Sequence, residues 1–181
     1  MKNHLKELIE SLIFVSTEPV PLEKIKSILH EFKEEEIEQA ASELLESYSS
    51  NERGIQIIAT GGGFLFSTRP EYDSWIRRFL RAEKKNRLSP AALETLSAIA
   101  YNQPTTLAEI SALRGVDSTH TLKVLLQKKL VKIVGRKKAP GRPLIYRTSK
   151  RFLTHFGLES LQDLPSPEEI TKFLEEKELE E

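Results

Sequence analysis

The sequence predicts a mainly helical α+β chain of two tandem units, each made of three helices followed by a β-hairpin. Three observations predict it. Apolar residues fall at helical spacing in three successive stretches, and then do so again. After each set the period changes from 3.6 to 2 around a turn containing glycine. The charge is also divided into blocks that follow these units.

The first helix is read from Leu5, Leu8, Ile9, Leu12 and Ile13, which keep the spacing of one helical face. Thr17-Glu18-Pro19-Val20-Pro21 stops it. Pro21 suits the first position of a second helix, with Leu22, Ile25, Ile28 and Leu29 turned inward. A third stripe runs through Ile37, Ala40, Ala41, Leu44, Leu45 and Tyr48, with an outer face dominated by Glu34, Glu35, Glu36, Glu38, Glu43 and Glu46. Residues 54–60 and 64–68 flank three glycines and read as a hairpin, with Ile55, Ile57, Phe64 and Phe66 on one face. After Pro70, the residues Tyr72, Trp75, Ile76, Phe79 and Leu80 return to helical spacing.

The second unit repeats this order. Ser89 is a suitable N-cap with Pro90 at the first helical position, and Leu93, Leu96 and Ala100 form a short stripe. Thr106-Leu107-Ala108-Glu109 is a capping box that opens a helix carrying Ile110 and Leu113, and Gly115 ends it. Asp117 or Ser118 caps a third helix, with Leu122, Leu125, Leu126 and Leu130 inward. Residues 131–134 and 144–148 make the second hairpin, and Phe152, Leu153 and Phe156 mark a closing helix. Three helices and a hairpin in this order are the winged-helix arrangement. The expected division is a first domain at residues 1–82, a linker at 83–87, a second domain at 88–164 and an acidic, flexible tail at 165–181, in which Ile170, Phe173 and Leu174 could share one helical face.

The chain of 181 residues has zero formal net charge, but the sum conceals a pattern. Residues 1–82 hold 10 basic and 14 acidic groups, residues 83–157 hold 15 and 4, and residues 158–181 hold 2 and 9. Acid–base–acid blocks point to charge-guided contacts. The absence of cysteine excludes disulfides, thiol nucleophiles and Cys-based zinc sites. No apolar run reaches the ~20 residues that span a bilayer. The first residues carry acids inside their apolar stretch, so no signal peptide is expected and the expected location is the cytoplasm.

Catalytic chemistry has little support. His4, His30, His120 and His155 are scattered without metal-ligand spacing, and no Gly-x-Ser-x-Gly is present. Gly61-Gly62-Gly63 lacks the Gly-Lys-Ser/Thr of a phosphate loop and reads as a hairpin turn. No cofactor or metal is expected. The glutamates of the first unit's third helix would repel nucleic-acid phosphates, which argues against DNA reading by that helix. The second unit is the nucleic-acid or acidic-partner candidate. Lys123, Lys128, Lys129 and Lys132 lie on or after its third helix, and Arg136, Lys137, Lys138 and Arg142 lie in its wing.

Leu88-Ser89-Pro90-Ala91-Ala92-Leu93-Glu94-Thr95-Leu96, Ile99-Ala100-Tyr101-Asn102-Gln103-Pro104, and Arg114-Gly115-Val116-Asp117-Ser118 resemble the segregation and condensation protein B family. So do Val134-Gly135-Arg136, Pro140-Gly141-Arg142-Pro143, Tyr146, Phe152-Leu153, Phe156-Gly157-Leu158 and, in the first unit, Thr68-Arg69-Pro70-Glu71-Tyr72 and Trp75. The likeness runs in register over residues 1–165; Leu107 departs from the basic residue many relatives carry. The resemblance implies a non-enzymatic subunit that homodimerises mainly through its first domain. It also implies binding to the kleisin subunit, segregation and condensation protein A, and through it to the chromosome-structuring ATPase. The implied process is chromosome condensation and partition before cell division, at the nucleoid. The alternative is a winged-helix transcription regulator that binds DNA through the second unit.

From the residues, Phe14, Trp75 and Phe79 are expected at the dimer interface, since two small domains leave large apolar side chains hard to bury. Arg136, Lys137, Lys138, Arg142 and Tyr146 are the expected partner-binding set, with the alternative that the two arginines brace the hairpin. Weak DNA binding without sequence preference is expected from the basic block.

Overall fold

The computed structural model describes residues 4–50, 52–80, 88–166 and 168–172. The expected linker at 83–87, and Phe173, Leu174 and the rest of the acidic end, lie outside the described residues.

The first unit contains α1 (Leu5–Val15), α2 (Leu22–Ile28), α3 (Glu34–Ser47), β1 (Ile55–Thr60), β2 (Gly63–Thr68) and, after a 3₁₀ turn at Pro70–Tyr72, α4 (Asp73–Phe79). The second contains α5 (Pro90–Asn102), β3 (Thr105–Thr106), α6 (Leu107–Arg114), α7 (Thr119–Gln127), β4 (Val131–Arg136), β5 (Leu144–Thr148) and α8 (Lys150–Phe156). Each unit has its own apolar cluster. Ile9, Ile13, Ile25, Ile37 and Leu44 centre the first, and Leu96, Ile99, Ile110, Leu125 and Phe152 the second. Burying such residues is the main stabilising contribution, of about 25 cal/mol per Å² of apolar area.

The predicted start signals form. The Ser89 hydroxyl accepts from the Ala92 N–H, 3.2 Å away. At the α6 start, the Thr106 hydroxyl accepts from the Glu109 N–H while the Glu109 carboxylate accepts from the Thr106 N–H, a complete capping box. Gly115 and Gly157 end α6 and α8 in the left-handed conformation that glycine adopts without cost. At α2, Pro21 takes the cap position, one residue before the first helical turn. Apolar stripes were overread at their margins: Leu8, Ile28, Leu93 and Leu113 are exposed, while Thr95 joins Ala92, Leu96 and Ile99 inside.

The two units match more closely than the helix count shows. Val20, between α1 and α2, bridges Phe64 of β2 through two hydrogen bonds of 2.9 Å. β3, between α5 and α6, pairs with β5 in the same way, giving the order β3-β5-β4. The second arm of each hairpin thus pairs with the segment after the unit's first helix, through an isolated bridge at Val20 in the first unit and a two-residue third strand in the second. Gly63 is required there, because a Cβ would stand 2.6 Å from the Val20 carbonyl carbon. The two units also touch. The Thr60 hydroxyl and the Gly61 N–H both donate to the Leu158 carbonyl, at 2.9 and 3.0 Å, so the first hairpin's turn rests on the chain leaving α8.

Candidate partner-binding surfaces

The last helix of the first unit is the feature least satisfied by its own fold. None of the residues of α4 is buried. Trp75 is 64% exposed and Phe79 86%, with Leu80 beside them. A helix of seven residues is marginal without tertiary packing, and α4 presents its largest apolar side chains outward. Phe14, at the end of α1, is 73% exposed although its ring meets Phe66 edge-on at 5.9 Å. The segment entering α4 is well anchored. The Arg69 guanidinium, 7% exposed, donates to the carbonyls of Arg53 (2.7 Å), Tyr48 (3.0 Å) and Ser50. Sequence reasoning saw Arg69 only as part of a resemblance; a lone arginine after a strand carries no signal that it will be buried.

The acidic face of α3 is real, and part of it is neutralised locally. Lys26 of α2 lies within 2.6 Å of Glu38, 2.9 Å of Glu34 and 3.5 Å of Glu23. Hydrogen bonds to Glu38 and Glu34 hold its ammonium well above the ordinary lysine range.

In the second unit, four of the five expected partner-binding residues lie in or beside the wing loop, and the geometry separates their roles. Arg136 donates to the Arg142 carbonyl at 3.1 Å, closing the loop on itself. The Lys137 ammonium reaches Glu109 of α6 at 2.5 Å, and the Lys137 N–H donates to the Pro143 carbonyl at 2.8 Å. That ammonium, with the Thr106 N–H and hydroxyl, lowers the Glu109 carboxyl to about 2. Lys138 and Arg142 are exposed at the tip, Arg142 in a left-handed conformation. Tyr146 is a core residue, 7% exposed, opposite Ile133 and Thr105. The wing is therefore a braced loop with two outward cations. The histidines stay apart, and among the described residues no cluster of His, Asp or Glu is placed to hold a metal ion.

The family model for the segregation and condensation complex subunit ScpB matches residues 7–167. The chain belongs to the ScpB family. It is 45% identical over 174 residues to segregation and condensation protein B of Syntrophotalea carbinolica, covering 96% of this chain and 87% of that one. It is 43% identical over 168 residues to the protein of that name from Moorella thermoacetica, covering 93% and 85%. Among solved structures, a dimer of a ScpB N-terminal domain complexed with a ScpA peptide is 31% identical, covers 42% of this chain and 95% of that one, and superposes with a TM-score of 0.39. Membership of this family favours the adaptor reading over a transcription regulator. No helix among the described residues is long and apolar enough to cross a membrane.

Proposed function

We propose that this chain is a non-enzymatic adaptor of a bacterial chromosome-structuring complex. In this reading it dimerises through its first domain, residues 1–82, and binds the kleisin ScpA, through which it reaches the ATPase. Residues 88–164 form the second domain, reached through a linker at 83–87, and the protein acts in the cytoplasm at the nucleoid during condensation and partition. Family membership supports the process. The observation that carries the assembly is α4, which offers Trp75 and Phe79 to solvent and buries nothing. A two-fold contact between copies of this helix and Phe14 would cover the apolar surface that the monomer leaves exposed.

The kleisin segment is proposed to meet the wing tip, where Lys138 and Arg142 remain available to carboxylates while Arg136 and Lys137 hold the loop in shape. Light scattering on the full chain tests the first contact: the expected mass is twice 20.6 kDa, and Trp75→Asp with Phe79→Asp should return the mass to that of one chain. Co-expression with a tagged kleisin tests the second. Retention of this chain on the kleisin, reduced by Lys138→Glu with Arg142→Glu at unchanged melting temperature, is the expected result. A monomeric wild type that still binds the kleisin would remove α4 from the assembly.

A further inference from the structure

Among the described residues, a second exposed cluster of positive charge stands apart from the wing tip. It lies at the other end of the second hairpin, where α7 ends and α8 begins. Lys129 is exposed and held in a left-handed conformation (φ 58°). Ser149 fixes this corner: its N–H donates to the Leu130 carbonyl at 3.0 Å and its hydroxyl to the Lys129 carbonyl at 2.5 Å. Lys150 and Arg151 follow at once, both exposed. Lys132 of β4 stands directly opposite Arg147 of β5, further like charge on the same hairpin, although neither residue lines the cleft formed at this corner.

Against this corner sits the first unit, joined through the two hydrogen bonds to the Leu158 carbonyl. The result is a cleft of about 710 Å³ lined from both sides. The first unit contributes Lys24 and Glu18; the second contributes Lys129, Lys150, Arg151 and His155. No described carboxylate forms an ion pair with Lys24, Lys129, Lys150 or Arg151. The field of this corner is felt by His155, whose imidazolium is disfavoured by burial and then by Arg151 and Lys128.

The composition of the walls selects the ligand. Beside the charges, the cleft shows the hydroxyl-bearing Thr17, Ser149 and Thr154, two prolines and the His155 imidazole, with no Phe, Tyr, Trp or large aliphatic side chain. An apolar-faced helix or strand needs anchor pockets, which the cleft lacks, and a single imidazole is not the series of stacking platforms that unstacked bases need. Lysine, arginine and small hydroxyls without base readers are the set that contacts phosphates.

We propose that this inter-unit cleft binds the phosphodiester backbone of duplex DNA without reading its sequence. Lys24 on one side and Lys129, Lys150 and Arg151 on the other supply the phosphate contacts. The site is separate from the wing tip and from α4, so it leaves both proposed protein contacts free. Because its cations come from both units, a bound duplex would favour the arrangement in which the first hairpin's turn lies on the chain after α8.

Fluorescence anisotropy on the full chain tests the proposal, with two labelled duplexes of unrelated sequence over a range of salt. Wild type is expected to bind both equally. Lys24→Gln with Lys150→Gln and Arg151→Gln is expected to weaken both by at least about tenfold at low salt and to lower the log–log salt slope by about 3. Lys24→Glu alone, an exposed change in the first unit, is expected to weaken binding severalfold and serves if the triple variant folds poorly. Lys6→Gln with Lys33→Gln, elsewhere in the first unit, is expected to leave affinity within about twofold. Unchanged affinity and slope in a folded triple variant would overturn the proposal. So would a poly-glutamate probe that binds wild type more tightly than DNA does and is lost in the same variant, which would make the cleft an acidic-peptide site.

Discussion

The two units share the order of three helices, a hairpin and a last helix, but close their folds in opposite ways. In the second, the final helix α8 inserts Phe152 into the core beside Leu125 and Ile110. In the first, the equivalent α4 inserts nothing and turns Trp75 and Phe79 outward. The entry to each last helix is also held differently. A buried guanidinium, Arg69, collects three carbonyls in the first unit, whereas a single serine, Ser149, bonds Lys129 and caps α8 in the second. One winged-helix plan can therefore complete its own core or leave the last helix for a partner, and the choice rests on a few residues after the hairpin.

Truncating the same element in both units should break the symmetry most sharply. Phe152→Ala removes a core side chain and is expected to cost about 3–5 kcal/mol. Phe79→Ala should change the stability of an isolated first unit by less than ~0.5 kcal/mol, because it uncovers nothing, yet weaken self-association strongly. Urea unfolding and sedimentation at several concentrations measure the two quantities. Equal destabilisation by both substitutions would mean that α4 packs on its own domain.

The next contrast lies at the helix entries. Arg69→Ala leaves three carbonyls without a charged donor and is expected to cost about 3 kcal/mol. Ser149→Ala, which loses one hydroxyl cap, should cost about 1 kcal/mol. Thermal unfolding followed by circular dichroism ranks them; the reverse order would show that the serine corner carries the structure.

Glycine at the first hairpin sharpens the comparison further. Gly63→Ala places a methyl 2.6 Å from the backbone at Val20 and should cost about 2 kcal/mol by forcing apart the Val20–Phe64 bridge. Gly62→Ala meets no atom within 4 Å but keeps a φ of 77°, so only the roughly 1 kcal/mol of left-handed strain is expected. Similar losses at both positions would remove the special role of the Val20 contact.

Much of this was legible in the residues. Caps at Ser89 and Thr106 have local chemistry that a sequence displays directly, and the switch of period located both hairpins. The bridge at Val20 and the short strand at Thr105–Thr106 were not legible, because one or two residues carry no alternation. Arg69 was hidden for a related reason: its partners are backbone carbonyls at residues 48, 50 and 53, which no side-chain pattern marks. For the wing, the sequence names five partner-binding candidates and leaves open that Arg136 and Arg142 brace the hairpin instead. Pairing across residues 109–137 and 136–142 gives two of them structural bonds, and a period of 2 places Tyr146 on the core face of β5. The exposed Phe14, Trp75 and Phe79 were legible from their positions at element ends.

The smallest expected effect concerns how each hairpin's loop is tied down. The first hairpin's turn is held by the Leu158 carbonyl, which does not titrate. The second is held by the Lys137–Glu109 ion pair, which does. The Glu109 carboxyl is held down to about 2 by the Lys137 hydrogen bond and then by the Thr106 N–H and hydroxyl, against an unfolded value of about 4.3. A carboxyl depressed in the folded state contributes stability that is complete above its unfolded value and is lost as pH falls through about 4 towards 2. The pair is solvent-exposed, so the contribution is modest and weakens with salt. Melting temperatures of wild type and Glu109→Gln should therefore diverge above pH 5 and converge near pH 2. Lys137→Met should keep part of the dependence, because the capping-box bonds from Thr106 remain. Parallel curves for wild type and Glu109→Gln would show that the wing is held by its backbone bonds alone, and the two hairpins would then be tied by the same kind of contact.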